Sequence, residues 1–312
     1  MALEGFRCVV LFLCSCCLST TAGLGVIWDV FGINRENVTR EHWTPSQAVP
    51  QNRFFLGDIT PAGQRIPGLA KNSRCCGRTN RDGIQLDSVG TKIVNGTATE
   101  RSEFPWMAAL VERTDTFLGG LPFCGGSLIN DRYVLTAAHC IAWWPSPLWG
   151  QVILGKHELR ETSEGELRLD VKQIILHPGY DENMSQFVQG NDIGLLKLRT
   201  TLTLPIGNNR IAPICLPSRS QFINAEAEVA GFGITKYMGD PVVDRADQLQ
   251  SVKMRIVNSG VCAFINPPGP QVEPNMVCAL GTTSRTGVCQ GDSGSALMVA
   301  ARYKRSRRGF SA

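Results

Sequence analysis

Short apolar runs separated by turn residues dominate the last two thirds of the chain. Nine runs, rich in β-branched and aliphatic residues, lie at 106–111, 133–137, 151–154, 167–176, 192–198, 226–230, 249–256, 276–280 and 296–300. Many short strands at this spacing are typical of a β-barrel or a β-sandwich. The 220 residues from 93 to 312 can also bury a sizeable core. We therefore predict an all-β fold for this part of the chain.

The first 92 residues do not follow this pattern. Residues 1–22 have a basic residue, an apolar core at 8–18 and small residues at the end. This is the pattern of a secretory signal whose core is too short to span a bilayer. Residues 23–92 carry aromatics and prolines without a clear period, and their polar second half, 71–92, is typical of a flexible linker. We predict a secreted protein with a signal peptide at 1–22, a propeptide at 23–92 and no membrane span.

Charge and cysteine content change this picture little. The formal net charge is +4, and the tail 301–312 supplies five positive charges, so the rest of the chain carries −1 and gives no reason to expect a nucleic-acid partner. Four of the twelve cysteines lie in the signal, which leaves eight in an oxidising compartment. Outside the signal no Cys-x-x-Cys pair occurs, so we expect no metal and no cofactor. Sequons at Asn37, Asn95 and Asn183 predict a glycoprotein.

The segment 289–295, Cys-Gln-Gly-Asp-Ser-Gly-Ser, carries the candidate chemistry. Gly291 lets the backbone bend until its N–H and that of Ser293 point at one spot, where they can hold an oxyanion. Ser293 could then attack a carbonyl carbon. The alternative is a polar turn, since Gly, Asp and Ser also favour turns.

A serine hydroxyl needs a base, which is usually an imidazole oriented by a buried carboxylate. Of the four histidines, His139 is flanked by small residues and a cysteine in Thr-Ala-Ala-His-Cys at 136–140. Asp192 lies at the mouth of an apolar run, Ile-Gly-Leu-Leu-Lys-Leu. The order is His, Asp, Ser, with spacings of 53 and 101 residues.

From about residue 93 to 298, the chain closely resembles the chymotrypsin-like (trypsin-fold) serine proteases. Besides the segments above, the resemblance rests on Ile-Val-Asn-Gly at 93–96, Cys-Gly-Gly-Ser-Leu-Ile at 124–129 and Pro-Ile-Cys-Leu-Pro at 213–217. It implies two antiparallel β-barrels, with His139 and Asp192 in the first and Ser293 in the second. It also implies that His139 is the general base, Asp192 orients it, Ser293 is the nucleophile, and the N–H groups of Gly291 and Ser293 form the oxyanion hole.

The resemblance further implies disulfides and an activation step. The implied pairs are Cys124–Cys140, Cys262–Cys278, and Cys215 with either Cys75 or Cys76, of which we favour Cys76. A trypsin-like enzyme would cut after Lys92, and the freed Ile93 ammonium would bury beside Asp292 and shape the oxyanion hole.

The chain also departs from the family. Gly287, six residues before Ser293, takes the place at the base of the P1 pocket where trypsin-like members carry Asp, so we expect an apolar or aromatic P1 residue rather than a basic one. Lys156 lies where some relatives carry a calcium-binding carboxylate, and we expect it to pair with a nearby Glu instead. Ala227 and Val299 replace a pair of family cysteines, as in thrombin-like and arthropod clotting-type members.

Only 19 residues follow Ser293, whereas family members continue with further strands and a C-terminal helix. We therefore interpret residues 93–300 as a C-terminally truncated protease domain with an incomplete second barrel and 301–312 as a basic tail. Cys289 would lack its usual partner, and activity would be weak or lost.

These observations favour a secreted serine endopeptidase zymogen. The expected partners are a protein or peptide substrate, an upstream trypsin-like activating protease and serpin-type inhibitors. The alternative is a non-catalytic protease homologue that acts as a binding cofactor or decoy in a proteolytic cascade.

Overall fold

The structure of the chain is a computed structural model. It describes residues 4–10, 76–80, 96–113, 120–182, 191–207, 209–217, 222–235, 245–258, 260–262, 276–282 and 287–302, with backbone only for 4–10, 301 and 302. The strands are β1 (Glu4–Val10), β2 (Thr97–Ala98), β3 (Met107–Glu112), β4 (Cys124–Leu128), β5 (Tyr133–Thr136), β6 (Gly150–Leu154), β7 (Leu167–Leu176), β8 (Gly194–Leu198), β9 (Glu226–Gly231), β10 (Gln250–Val257), β11 (Cys278–Gly281) and β12 (Ala296–Arg302). A short helix, α1 (Ala138–Ile141), follows β5.

Six strands close into a barrel in the order β3-β4-β5-β8-β7-β6, and every neighbouring pair is antiparallel. All residues of β3 and β4 are buried. Leu110, Leu128, Ile153 and Leu196 are among the fully buried side chains inside. Burial of such aliphatic side chains contributes about 1.5–3 kcal/mol each. Closure also leaves the barrel without a free strand edge, so its backbone hydrogen bonds are satisfied internally.

The second sheet is open, in the order β1-β12-β9-β10-β11, with β2 paired to β10. Its smaller core contains Val229, Val252, Ile256 and Leu297. The two sheets also contact each other: the indole Nε1 of Trp106, next to β3, donates to Sδ of Met298 in β12 at 3.1 Å. The prediction of an all-β chymotrypsin-like fold with an incomplete second barrel is confirmed.

The outer strand of the second sheet comes from the N-terminal residues of the chain. Residues 4–10, assigned to the signal peptide, pair antiparallel with β12 from Glu4↔Arg302 to Val10↔Ala296. The physical reason is that a strand edge with unpaired N–H and C=O groups favours pairing with any extended segment rich in β-forming residues.

Three disulfides link described segments: Cys76–Cys215, Cys124–Cys140 and Cys262–Cys278. These are the pairs that the resemblance implied, and Cys76 rather than Cys75 bonds to Cys215. The segment 76–80 lies against the first barrel. Gly77 N–H donates to Pro213 O at 2.8 Å, and Asn80 Nδ2 donates to Ser102 O at 2.9 Å.

Close packing in the first barrel gives a stability prediction. A Cβ on Gly150 would lie within 2.7 Å of the fully buried Trp144 ring. We expect Gly150→Ala to lower the free energy of unfolding by about 1–3 kcal/mol, because the ring has no room to move away. Denaturant unfolding measures the change. Gly287→Ala is the matched control, since a Cβ there meets nothing within 4 Å. Equal midpoints for the two variants would contradict the prediction.

Candidate active site

Strand pairing in the first barrel brings His139 and Asp192 together. The strands β5 and β8 are neighbours, with Thr136 opposite Gly194. His139 follows β5 at the start of α1, and Asp192 lies two residues before β8. The two residues therefore meet at the same end of the barrel, although 53 positions separate them.

Asp192 holds both the backbone and the ring of His139. Its Oδ1 accepts the His139 backbone N–H at 2.7 Å, and its Oδ2 lies 2.6 Å from Nδ1. Asp192 is only 4% exposed, whereas the His139 side chain is 23% exposed. A carboxylate at Nδ1 favours the tautomer with the proton on Nδ1, which leaves the lone pair of Nε2 to act as a base.

Ser293 is attached to the same region through Gly125 in β4. The Gly125 N–H donates to Ser293 O at 2.7 Å, and Gly125 O accepts from Oγ1 of Thr136 at 2.8 Å. The next residue, Gly294, has a φ of 82°, and a Cβ there would lie 3.2 Å from Ala137 N. These contacts place the half-buried Ser293 beside the segment that carries His139.

Within the described segments, no hydrogen bond joins Ser293 Oγ to His139 Nε2, and Cys140 Sγ lies 3.6 Å from Nε2. Catalytic hydrogen bonds are often long in unliganded enzymes and tighten when substrate binds.

The backbone around Ser293 presents two N–H groups. Gly291 has a φ of 101°, which lies in a region that favours glycine. The intervening Asp292 N–H donates to Cys289 O at 3.0 Å. Among the residues whose placement is described, no acceptor takes the N–H of Gly291 or of Ser293. Both groups can therefore donate to an oxyanion.

Asp292 is a fully buried carboxyl group. Its Oδ1 accepts from Gly233 N–H at 2.8 Å, and its Oδ2 accepts from Cys289 N–H at 3.0 Å. Burial raises the pKa of Asp292 to about 6, although these bonds and the positive charge of Arg245 oppose the rise. No cation in the described part of the chain lies within 4 Å of it.

The sequence motifs did not predict which residues surround Asp292. A Cβ on Gly231 or Gly233 would collide with its carboxylate, so both glycines make room for it. A Cβ on Gly291 would lie 3.4 Å from Nη2 of Arg245, so this half-buried guanidinium lies beside the candidate oxyanion hole. The Gly-Phe-Gly sequence at 231–233 was the available signal for the glycines, whereas nothing in the sequence pointed to Arg245.

The structure also describes two of the other candidate residues, Gly287 and Lys156. A Cβ on Gly287 would meet no atom within 4 Å. Lys156 Nζ lies 3.7 Å from Oε2 of Glu166, whose side chain is 7% exposed, and donates to Glu161 O at 3.1 Å, so the expected pairing with a Glu is present. Lys92 and Ile93 lie outside the described residues, as do the asparagines of the three sequons, most of the signal peptide and the tail from 303 onward.

One cluster has metal-like spacing, formed by Cys124, His139 and Cys140. The two cysteines are bonded to each other, so neither supplies the thiolate that a metal would need. No helix in the described part of the chain is long and apolar enough to cross a membrane.

Buried Asp292 makes stability depend on pH. Between its ordinary pKa of 3.8 and the folded value of about 6, the folded chain keeps a proton that the unfolded chain has lost. Stability of the uncleaved chain therefore falls by about 3 kcal/mol as pH rises through this window. The free energy of unfolding of the chain and of Asp292→Asn is measured from pH 3.5 to 7. The value for the chain minus the value for the variant should fall as pH rises through this window.

His157 and His177 also make stability depend on pH, in the opposite direction. Both histidines are present in the chain and in Asp292→Asn, so their contributions cancel in the difference between the two proteins. Burial lowers the pKa of both imidazoles, so their contribution to stability is lost as pH falls below 6.5. A difference between the chain and Asp292→Asn that does not change with pH would contradict the assignment.

Comparison with known proteins gives one consistent result. A sequence model of the family named Trypsin matches residues 93–304. CLIP domain-containing serine protease HP8 of Bombyx mori is 37% identical over 247 residues, which are 74% of this chain and 61% of that protein. Trypsin-1 of Astacus astacus is 33% identical over 208 residues, 66% of this chain and 81% of that protein.

Mannan-binding lectin serine protease 1 of Homo sapiens is 30% identical over 277 residues, 84% of this chain and 35% of that protein. The chain thus spans about a third of the length of this relative. The solved structure of mouse neuropsin, a serine protease, matches with a TM-score of 0.56 and 29% identity, over 67% of this chain and 83% of that one. Because the family model covers more than half of the 312 residues, the chain belongs to the trypsin family of serine proteases.

Proposed function

We propose that the chain is a secreted serine endopeptidase zymogen that is activated by cleavage after Lys92. The observation that carries the proposal is the buried Asp192 bonded to both the ring and the backbone of His139, with Ser293 held beside them. This arrangement supplies a base, its orienting carboxylate and a nucleophile at one end of the first barrel. The relatives include mannan-binding lectin serine protease 1 and coagulation factor IX, and these names support a protein substrate.

In the proposed reaction, Ser293 Oγ attacks the carbonyl carbon of the scissile peptide bond while His139 Nε2 takes its proton. The N–H groups of Gly291 and Ser293 hold the oxyanion, and one such donor typically contributes about 10²–10³ in rate. The C–N bond then breaks as His139 returns the proton to the leaving amine. Water hydrolyses the acyl-enzyme by the same route, and Asp192 stabilises the imidazolium at each step. No cofactor takes part.

Activation would supply a cation close to Asp292, which has none within 4 Å among the described residues. A fully buried carboxyl group without a close counter-ion is unfavourable when ionised. An ammonium released at Ile93 could pair with it, lower its pKa and fix the peptide bonds on either side, which include the oxyanion donors. An upstream trypsin-like protease would make this cut, because Lys92 is a basic residue. Serpin-type inhibitors would be expected regulators of such an enzyme.

A second candidate is a non-catalytic homologue that binds partners in a proteolytic cascade. Two observations favour it. Ser293 Oγ makes no hydrogen bond with His139 in the described structure, and the second sheet is not closed.

Covalent labelling separates the two candidates. We expect the secreted protein to react with a fluorophosphonate probe only after cleavage at Lys92–Ile93, because the probe needs an activated serine and little of the substrate pocket. Ser293→Ala should abolish labelling, and Lys92→Gln should prevent it by blocking cleavage. A folded, correctly cleaved sample that does not react would support the binding homologue instead.

Gly287 gives a specificity prediction. An uncharged residue facing open space leaves the pocket without a partner for a basic P1 side chain. We expect Gly287→Asp to raise kcat/KM for substrates with Arg at P1 by at least about tenfold relative to Phe at P1, since a buried carboxylate pairs with guanidinium. Gly287→Ser, which adds a side chain without charge, is the control. An unchanged Arg/Phe ratio in Gly287→Asp would place Gly287 outside the pocket.

A further inference from the structure

The residue before Asp192 has an unusual backbone conformation. Asn191 has a φ of 66°, in the left-handed region, which is rare for residues other than glycine and is tolerated best by asparagine and aspartate. The Ile193 N–H donates to Asn191 O at 2.7 Å, which closes a three-residue turn with Asp192 at its centre. The conformation of Asn191 therefore sets the direction in which the Asp192 side chain leaves the backbone.

The side chain of Asn191 is bonded to a neighbouring turn, residues 177–180. Its Nδ2 donates to Gly179 O at 3.3 Å, across 12 positions of the chain. A Cβ on Gly179 would lie 2.9 Å from this Nδ2 and 3.3 Å from His177 Nδ1. Glycine at this position thus leaves room for the amide, and the amide in turn holds Asn191 in its left-handed conformation.

His177 shapes this turn through its backbone and its ring. The Gly179 N–H donates to His177 Nδ1 at 3.0 Å, and the Tyr180 N–H donates to His177 O at 3.0 Å. The Nδ1 atom can accept because the proton of the neutral imidazole then lies on Nε2. Burial lowers the pKa of His177, which favours this neutral form. The turn therefore presents Gly179 O to Asn191 in a fixed geometry.

The same turn is bonded to the other side of Asp192. The His177 N–H donates to Ile193 O at 3.0 Å. Both chain neighbours of Asp192, Asn191 and Ile193, are thus attached to residues 177–180. The backbone on either side of the carboxylate is therefore held by one turn.

Asp192 needs a fixed direction because both of its carboxylate oxygens are in use. Oδ1 accepts from the His139 backbone N–H at 2.7 Å, and Oδ2 lies 2.6 Å from His139 Nδ1. A rotation of the carboxylate changes the length and angle of both contacts, and hydrogen bonds weaken as these depart from the optimum. The Asp192 side chain is only 4% exposed, so few water molecules can replace a lost bond.

We propose that Asn191 is a positioning residue for Asp192. Its left-handed backbone and its amide bond to Gly179 hold the carboxylate in the direction that binds both the backbone and the ring of His139. Asn191 acts through Asp192 rather than on the substrate. This role deepens the proposed function and rests on it, because a fixed base matters for catalysis only if Ser293 reacts.

Proton NMR of the uncleaved chain tests the role without requiring turnover. A proton in a short, charge-assisted hydrogen bond resonates at unusually low field, so the Nδ1–H of His139 gives a signal that reports its bond to Asp192. We expect Asn191→Ala, which disfavours the left-handed backbone and removes the amide, to move this signal to higher field or abolish it. Asn191→Gly keeps access to the left-handed backbone and should move the signal less.

The second measurement is the rate constant of fluorophosphonate labelling of the cleaved chain. We expect Asn191→Ala to lower it at least about tenfold, since a small misplacement of a catalytic group can cost about 10²-fold in rate. Asn191→Gly should recover part of this loss. Gly179→Ala, whose Cβ would displace the Asn191 amide, should also lower the rate while residue 191 itself stays unchanged.

Asn209 provides the matched control. It has a φ of 70° and is half-buried like Asn191, and its Nδ2 donates to Arg78 O at 3.3 Å. Asn209→Ala should lower the denaturant midpoint, as Asn191→Ala does, but leave the low-field signal and the labelling rate unchanged. Equal effects of the two alanine variants on the signal would overturn the role. A signal that is unchanged in both Asn191→Ala and Gly179→Ala would do so as well.

The two measurements keep this role separate from the proposed catalysis. Labelling of the cleaved chain, together with a low-field signal that does not respond to Asn191→Ala, would overturn the role and leave the endopeptidase proposal standing. A signal that responds in a chain that is never labelled would support the positioning of Asp192 in a protein that does not cleave peptides.

Discussion

The pairing of β5 with β8 is the constraint on which the candidate site depends. It sets Thr136 opposite Gly194, and everything catalytic in the first barrel follows from that register. A shift by one residue would reverse the faces of both strands and move His139 away from Asp192. Barrel closure protects the register, because each strand is held on both sides. The site is thus positioned by strands whose side chains belong to the buried core of the first barrel.

The link from this barrel to the nucleophile is thinner. It includes Gly125, which accepts from Thr136 through its carbonyl and donates to Ser293 through its N–H, and Gly294, which packs against Ala137. The contact of Trp106 with Met298 of β12 adds to it. Ser293 also depends on the second sheet, since β12 begins three residues after it. The two halves of the site therefore differ in how firmly the fold holds them. A closed barrel orients the base, whereas an open sheet and a few backbone contacts carry the nucleophile.

Much of this arrangement could be predicted from the sequence. The nine apolar runs correspond to nine of the strands, because short runs rich in β-branched and aliphatic residues favour buried strands. The run 124–128, Cys-Gly-Gly-Ser-Leu, gave no such signal, since its two glycines interrupt the apolar pattern, yet it forms β4. The strand β1 was missed because its residues also satisfy the pattern of a leader. The position of Arg245 beside Gly291 depends on loop geometry, which local sequence patterns do not encode.

The disulfide between Cys76 and Cys215 has a consequence for what cleavage would produce. A cut after Lys92 would break the chain's continuity but not its connection, so the pro-segment would remain attached as a light chain. Its effective concentration at the protease domain would then be on the order of millimolar, as for partners joined by a short linker. At that concentration the light chain would occupy a binding site on the barrel surface even if its affinity for the site were weak. Separation of the two chains would require reduction of this disulfide as well as proteolysis. Cleavage alone would therefore activate the protease domain without releasing the pro-segment.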